Sequence, residues 1–147
     1  GICCLRPGVK GVSDTIDVVS IVDRFLVHSR VFHFRNGGDE EVYLSSADWM
    51  PRNLDRRIEL VVPVQAGEAP KKVLDALDAM FTDNVKARRL MPDGTYKRKK
   101  VQKGEEGSRA QVRLYEDARR ALERARAGST AVFEPVTVTP EKAAPNS

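Results

Sequence analysis

Three groups of side chains in this sequence have types and spacing suited to handling phosphate. The first is His28-Ser29-Arg30. Residues two apart in an extended chain face the same way, so this imidazole and guanidinium share a side. A guanidinium grips the non-bridging oxygens of a phosphoryl group, and an imidazole gives or takes a proton at the attacking or leaving oxygen. A single histidine near a strand end is also commonly structural, and the spacing alone does not choose. The second group runs from Ser45 to Arg57. It places the hydroxyls of Ser45 and Ser46, the carboxylates of Asp48 and Asp55, the amide of Asn53 and the guanidinia of Arg52, Arg56 and Arg57 within thirteen residues. Hydroxyls and backbone N–H groups at a strand-to-helix turn form an anion cradle, and the rigid guanidinium fork spreads phosphate charge. Asp48 serves equally as a helix N-cap, and Asp55 with Arg56 as a surface ion pair of little energetic consequence. The third group is cationic. Lys86, Arg88, Arg89, Lys97, Arg98, Lys99, Lys100 and Lys103 face the single acid Asp93, which gives that segment a net charge of +7 in a chain of net +4. A local excess of this kind suits a polyanion, although a solvated loop explains it too. Tyr96 is the one aromatic inside it, thin support for base stacking.

The elements that must position these residues follow from periodicity. Residues 2–5 read as a short buried strand ended by Pro7-Gly8 and Gly11, and residues 16–22 as a second strand. Residues 23–27 resemble one helical turn. Strands at 31–34 and 42–45 flank Asn36-Gly37-Gly38-Asp39, a hairpin signal, with Val31 and His33 on one face and Phe32 and Phe34 on the other. Residues 57–64 form another strand whose apolar run from Leu60 implies burial on both faces. After Pro70 the apolar residues Val73, Leu74, Leu77, Met80 and Phe81 recur at helical spacing. A basic loop follows from Pro92 to Gly104. A second helix over 108–127 carries Val112, Tyr115, Ala118, Leu122 and Ala125 on one side, with Gly128 placed to stop it. The expected fold is α/β, a mixed sheet flanked by helices, spanning residues 1–127, with a flexible tail at 128–147 rich in Pro, Thr and Ala.

Composition narrows the class. With 41% hydrophobic and 31% charged residues over 147 positions, the chain has the balance of one soluble globular domain. The run 60–64 is far too short to cross a bilayer, and no secretory signal opens the chain. The missing initiator methionine suggests a piece of a longer polypeptide. Cys3 and Cys4 are the only cysteines; as neighbours they alternate sides of a strand, which suits buried thiols in a reducing cytoplasm. They have no zinc-site spacing, so no metal ligands are assigned.

Residues 1–8, 20–30, 36–38 and 42–57 together resemble the C-terminal domain of the long-form bacterial polyphosphate kinases, and 81–88 continues the likeness more weakly. The distinctive string is Ser45-Ser46-Ala47-Asp48-Trp49-Met50 followed by Arg52-Asn53, Asp55 and Arg57, in register with the preceding His28. The resemblance implies reversible transfer of the terminal phosphate of ATP to inorganic polyphosphate, with Mg²⁺, through a phosphohistidine. It also implies two phospholipase D-like halves, each giving one histidine to a shared site. His28 fits the acid/base histidine of the second half, which contacts the ATP phosphates. Arg30 stands where the phospholipase pattern has lysine, Ser45-Ser46 resembles its downstream serine motif, and Arg57 fits an arginine lining the phosphate tunnel; Arg52 joins them as a phosphate clamp. The phosphorylated histidine, the Mg²⁺ contacts and the adenine-binding residues of the family have no counterpart here, and His33 matches no family site. The implied partners are ATP or ADP, polyphosphate, upstream domains of the same enzyme and a second copy of that enzyme, without a membrane span or specific nucleic acid. The implied location is the cytoplasm, compatible with peripheral membrane attachment, and the isolated piece is expected to be inactive and to expose an apolar patch. Two rivals stay open: a non-catalytic polyanion-binding module built on 97–103, and a phospholipase D-like phosphodiesterase half acting as a homodimer.

Overall fold

Short connections between β-rich segments favour antiparallel neighbours, and the strands pair that way in the computed structural model, which describes residues 5–128. The readings placed on residues 2–4, on Cys3 and Cys4 and on the tail from 129 lie outside the described residues. The α/β composition holds. In place of one mixed sheet there are two antiparallel sheets of three strands each. Strand β1 (Val19–Ile21), β5 (Ala87–Leu90) and β6 (Tyr96–Arg98) make one sheet in the order β1-β5-β6. Strands β2 (Val31–Phe34), β3 (Glu41–Ser45) and β4 (Val61–Pro63) make the other in chain order. Three helices complete the fold: α1 (Pro51–Arg56), α2 (Ala69–Thr82) and α3 (Ala110–Gly128).

The β2–β3 hairpin forms where the glycines placed it. Asn36, Gly37 and Gly38 turn through φ of 38°, 69° and 115°, a left-handed path that Gly and Asn follow at least cost. Helix α2 follows the apolar period and begins with Pro70 in its first turn. Three expectations are corrected. Residues 23–27 form no helical turn, with bends at 23–25 and irregular chain at 26–27, because Asp23 and the Phe25 backbone are held by side chains of another element. Strand β4 is short and exposed rather than buried on both faces: it lies at a sheet edge and ends in Pro63, which cannot extend the ladder. The basic loop is a hairpin, with β6 paired to β5 and the turn closed by Asp93, whose carboxylate accepts from the Thr95 backbone at 2.9 Å.

The centre of the β1-β5-β6 half is polar. Asp83, fully buried, follows α2 directly. Its Oδ1 accepts the backbone N–H groups of Val85, Lys86 and Ala87 at 2.9, 2.6 and 3.0 Å, and its Oδ2 accepts that of Ala110 at 2.8 Å. One carboxylate therefore starts β5 and caps α3. Asn84 adds a second tie: Oδ1 accepts from Ser108 N at 2.7 Å, and Nδ2 donates to Glu106 O at 3.0 Å. Burial pushes the Asp83 carboxyl up, yet the four N–H donors outweigh it and hold it below the usual aspartate range. At the far side Asp23 receives Arg109 through both oxygens, Nε at 2.8 Å, and this guanidinium lowers its pKa to about 2. Gln111 completes the clamp, donating to Phe25 O at 2.7 Å and accepting from Phe25 N at 3.1 Å.

The apolar core around these ties is thin. Its fully buried members are chiefly alanines (Ala47, Ala79, Ala87, Ala110) with Val42 and Leu90. Large side chains lie outside it: Leu26 is 94% exposed and Ile58 97%. The face of α3 expected to pack is also open, with Val112, Tyr115 and Leu122 exposed. Among the described residues no helix is long and apolar enough to cross a membrane.

Stability should track Asp83. Asp83→Asn keeps one acceptor but loses the charge and presents an N–H₂ to amide donors, so denaturant unfolding should show a loss of about 2 kcal/mol. Asp83 and Asp23 both titrate lower when folded than unfolded. Their contribution is complete above about pH 4 and disappears as the pH falls through their folded values. Thermal melts should therefore weaken from about pH 4 downward in the natural chain, and less steeply in Asp83→Asn.

Candidate functional site

The segment that bears His28 is fixed at both ends. Upstream, Phe25 is bound to Gln111 at the start of α3. Downstream, Ser45 N donates to Arg30 O at 2.9 Å, extending the β2–β3 ladder by one rung. His28 and Arg30 are thereby held on the side of the sheet that carries Phe32 and Phe34, as alternation requires.

Two carboxylates gather the remaining site residues. Asp48 accepts from Arg30 Nε at 2.7 Å, and that contact holds its carboxyl below the usual range, with Arg52 adding positive field. Asp48 is therefore not the N-cap of α1; Met50 takes that position and Pro51 opens the helix. Arg30 in turn places an NH2 against His28 Nε2 and lies within the field of Glu59. A guanidinium can only donate, so Nε2 is the acceptor in this contact. Glu59 is the second organiser. It accepts from the Ser46 hydroxyl and from Asn53 Nδ2 at 3.0 Å, and pairs with Arg57 Nε at 3.5 Å. The Ser46 hydroxyl, foremost, keeps the Glu59 carboxyl below its ordinary value. Ser46 also ties β3 to the chain entering β4, its Oγ accepting from Leu60 N at 3.0 Å. Ser45 Oγ accepts from Ala47 N at 3.1 Å, so both hydroxyls are engaged within the loop.

The site residues read from the sequence thus fall around two anchors: His28, Arg30 and Arg52 about Asp48, and Ser46 and Arg57 about Glu59. Ser45 sits at the end of β3 between them. His33 faces Glu40 across the hairpin at 3.7 Å and takes no part. Glu59 was not legible as an organiser, since a single acid entering a strand carries no motif. Asn53 is 2% exposed, with Oδ1 buried and without a hydrogen-bond partner. An aromatic row was also missed: Trp49 stacks on Phe32 with centroids 5.6 Å apart, and Phe34 meets Tyr43 edge-on at 6.0 Å. Trp49 remains 79% exposed, on the rim of the depression that holds Arg30 and Asp48.

Comparison with known proteins identifies the family. Residues 1–111 match the model of the polyphosphate kinase C-terminal domain 2. The chain belongs to that family. A polyphosphate kinase of Rhodopirellula baltica is 59% identical over 115 residues, covering 78% of this chain and 14% of the relative. A polyphosphate kinase of Synechocystis is 49% identical over 112 residues, 76% of this chain and 15% of its own length. The crystal structure of polyphosphate kinase from Porphyromonas gingivalis superposes with a TM-score of 0.78 at 40% identity, covering 84% of this chain and 19% of that one. The chain thus spans about one-seventh of the curated relatives it matches.

The residues present do not suit a resident magnesium ion. Among the described residues no group of three His, Cys, Asp or Glu comes together, and both carboxylates near His28 are committed to arginine, hydroxyl or amide donors. A hard cation needs several free oxygens.

The Asn53–Glu59 contact gives a test with an unusual sign. Asn53→Asp puts a second carboxylate where an amide donated at 3.0 Å, and one of the pair must then be neutral or pay repulsion. A carboxyl raised in the folded state gains stability as pH falls. Thermal melts of Asn53→Asp should therefore be weakest at pH 7 and recover toward pH 5, where the natural chain is flat.

Proposed function

We propose that this chain supplies one half of the phosphoryl-transfer site of a polyphosphate kinase, with residues 1–127 as the catalytic unit. The reaction is reversible transfer of the terminal phosphate of ATP to inorganic polyphosphate through a histidine of another domain. The observation that carries the reading is the His28–Arg30–Asp48 chain, in which a charged guanidinium is pinned by a carboxylate on one side and set against an imidazole lone pair on the other.

On this reading Asp48 fixes Arg30 through Nε and leaves the terminal nitrogens for phosphate. An incoming phosphoryl oxygen displaces the imidazole from Arg30, freeing Nε2 to hold a proton at the attacking or leaving oxygen. Arg52 in the first turn of α1 and Arg57 just past its end, both exposed, spread the charge that develops on the non-bridging oxygens. Ser45 and Ser46 shape the loop, each with its hydroxyl engaged locally. Magnesium in this scheme accompanies the nucleotide, with protein ligands outside this chain. The domain bearing the covalent histidine is the required partner, because without a nucleophile the two-step route is closed.

The test is a chimera in which this chain replaces the matching segment of the Rhodopirellula baltica enzyme. The chimera should make polyphosphate from ATP, and this chain alone should not. His28→Ala in the chimera should lower turnover by about 10²–10⁴-fold, the usual worth of general acid–base catalysis. Arg30→Lys should also lose activity, since an ammonium cannot hold Asp48 and a phosphate in one plane. Polyphosphate synthesis by this chain alone, or full turnover with His28→Ala, would contradict the half-site assignment.

A further inference from the structure

The segment from Arg24 to Ser29 carries His28 and has little of its own to hold it. Its residues are all exposed, Phe25 at 71%, so apolar packing does not fix the path. Its local bonds run from Arg24 N to Asp23 Oδ1 at 2.9 Å and from Arg30 Nη1 to His28 O at 3.4 Å, and Arg30 also meets His28 Nε2. These join near neighbours in the chain and leave open where the segment stands on the fold. Among the described residues, the one distant side chain bonded to it is Gln111. Its Oε1 accepts from Phe25 N at 3.1 Å, and its Nε2 donates to Phe25 O at 2.7 Å. A primary amide has both a donor and an acceptor, so it satisfies the two backbone groups of one residue as a neighbouring strand would.

Gln111 can grip in this way because its own backbone is fixed. Ala110 N is bonded to the buried Asp83, and Arg109 spans both oxygens of Asp23, whose side chain is 1% exposed. The root of the segment and the start of α3 are thus one body, and Gln111 carries that body two residues closer to His28. Beyond Phe25 only Leu26 and Val27 intervene, and neither is hydrogen-bonded among the described residues. Both Gln111 bonds lie at the surface, where a hydrogen bond adds little to stability. Their loss should leave the fold standing and release the segment.

We propose that Gln111 is a positioning residue for His28: by clamping the Phe25 backbone to α3 it sets where the imidazole stands against the transferring phosphate. The proposal rests on His28 being the acid–base group, as proposed above. Proton transfer requires hydrogen-bond reach, and a displacement of about 1 Å costs about 10²-fold in rate.

The test is a double-mutant cycle in the chimera, using Gln111→Met, which keeps the side-chain length and removes both bonds. Alone it should lower turnover by about 10- to 100-fold. Added to His28→Ala it should cost nothing further, because it acts through an imidazole already gone. Arg113→Met is the control: Arg113 ties α3 to Asp78 of α2 at 3.0 Å and does not touch the His28 segment, so its loss should leave turnover unchanged. A second readout comes from this chain alone. His28 and His33 are its only histidines, and His33→Gln assigns their imidazole NMR signals. Gln111→Met should shift and broaden the His28 signals and leave those of His33 in place, while Arg113→Met should move neither. Circular dichroism melts check folding. Gln111→Glu, which keeps the acceptor for Phe25 N and loses the donor, replaces Gln111→Met if that variant unfolds, and should give the same pattern. Unchanged turnover in the Gln111 variant, losses that multiply in the double variant, an equal fall in Arg113→Met, or unmoved His28 signals each overturn the proposal and leave the half-site reading intact so long as His28→Ala keeps its effect. Full turnover with His28→Ala overturns that reading and this proposal together.

Discussion

The fold depends on the buried carboxylate of Asp83. Four backbone N–H groups from two distant stretches converge on it, and without it the first turn of α3 and the entry to β5 would each leave donors unmet in a dry interior. A charge removed from water is expensive, and only this number of donors makes it tenable. The arrangement substitutes for an apolar core. Where alanines are most of what is buried, hydrophobic burial sets no unique geometry, and a directional polar junction does.

From that junction the placement of the site follows by contact. With α3 fixed by Asp83, Arg109 and Gln111 at its start seize Asp23 and the Phe25 backbone. The chain then has only Leu26 and Val27 to cross before His28, and Arg30 is caught by Ser45 and Asp48. His28 therefore sits where the two sheets are linked, its position set from both. The exposed Leu26, Ile58 and Trp49 lie in the same neighbourhood of sequence as the site residues.

What the sequence revealed and what it hid divide along a physical line. Local rules sufficed for the β2–β3 hairpin, because Asn36, Gly37 and Gly38 are the residues that accept a left-handed path, and for α2, because its apolar period is clean. The string from Ser45 to Arg57 was legible as a charged cluster, and the family likeness rested on it. Asp83 and Glu59 were not legible, since their importance lies in which distant N–H and O–H groups reach them. Strand β4 was misread for a related reason: the run 60–64 is as apolar as a buried strand, but burial needs a cover, and none of the described elements supplies one. The basic segment was read as a loop because its charge hid the β-pairing of Tyr96 to Arg98 with Arg88 to Leu90.

The two carboxylates at the site have different consequences. Asp48 binds the guanidinium that faces His28, so it governs where positive charge stands relative to the imidazole Nε2. Glu59 binds Ser46, Asn53 and Arg57, so it governs the shape of the loop from β3 to β4 and leaves Arg57 partly free. Both carboxyls are held below their ordinary ranges, by Arg30 at Asp48 and by the Ser46 hydroxyl at Glu59, so both are ionised at neutral pH. The orphaned Oδ1 of Asn53 is consistent with that division: the amide is spent on aiming Glu59, at the cost of one unmet acceptor, and a loop held at that cost is held for its geometry.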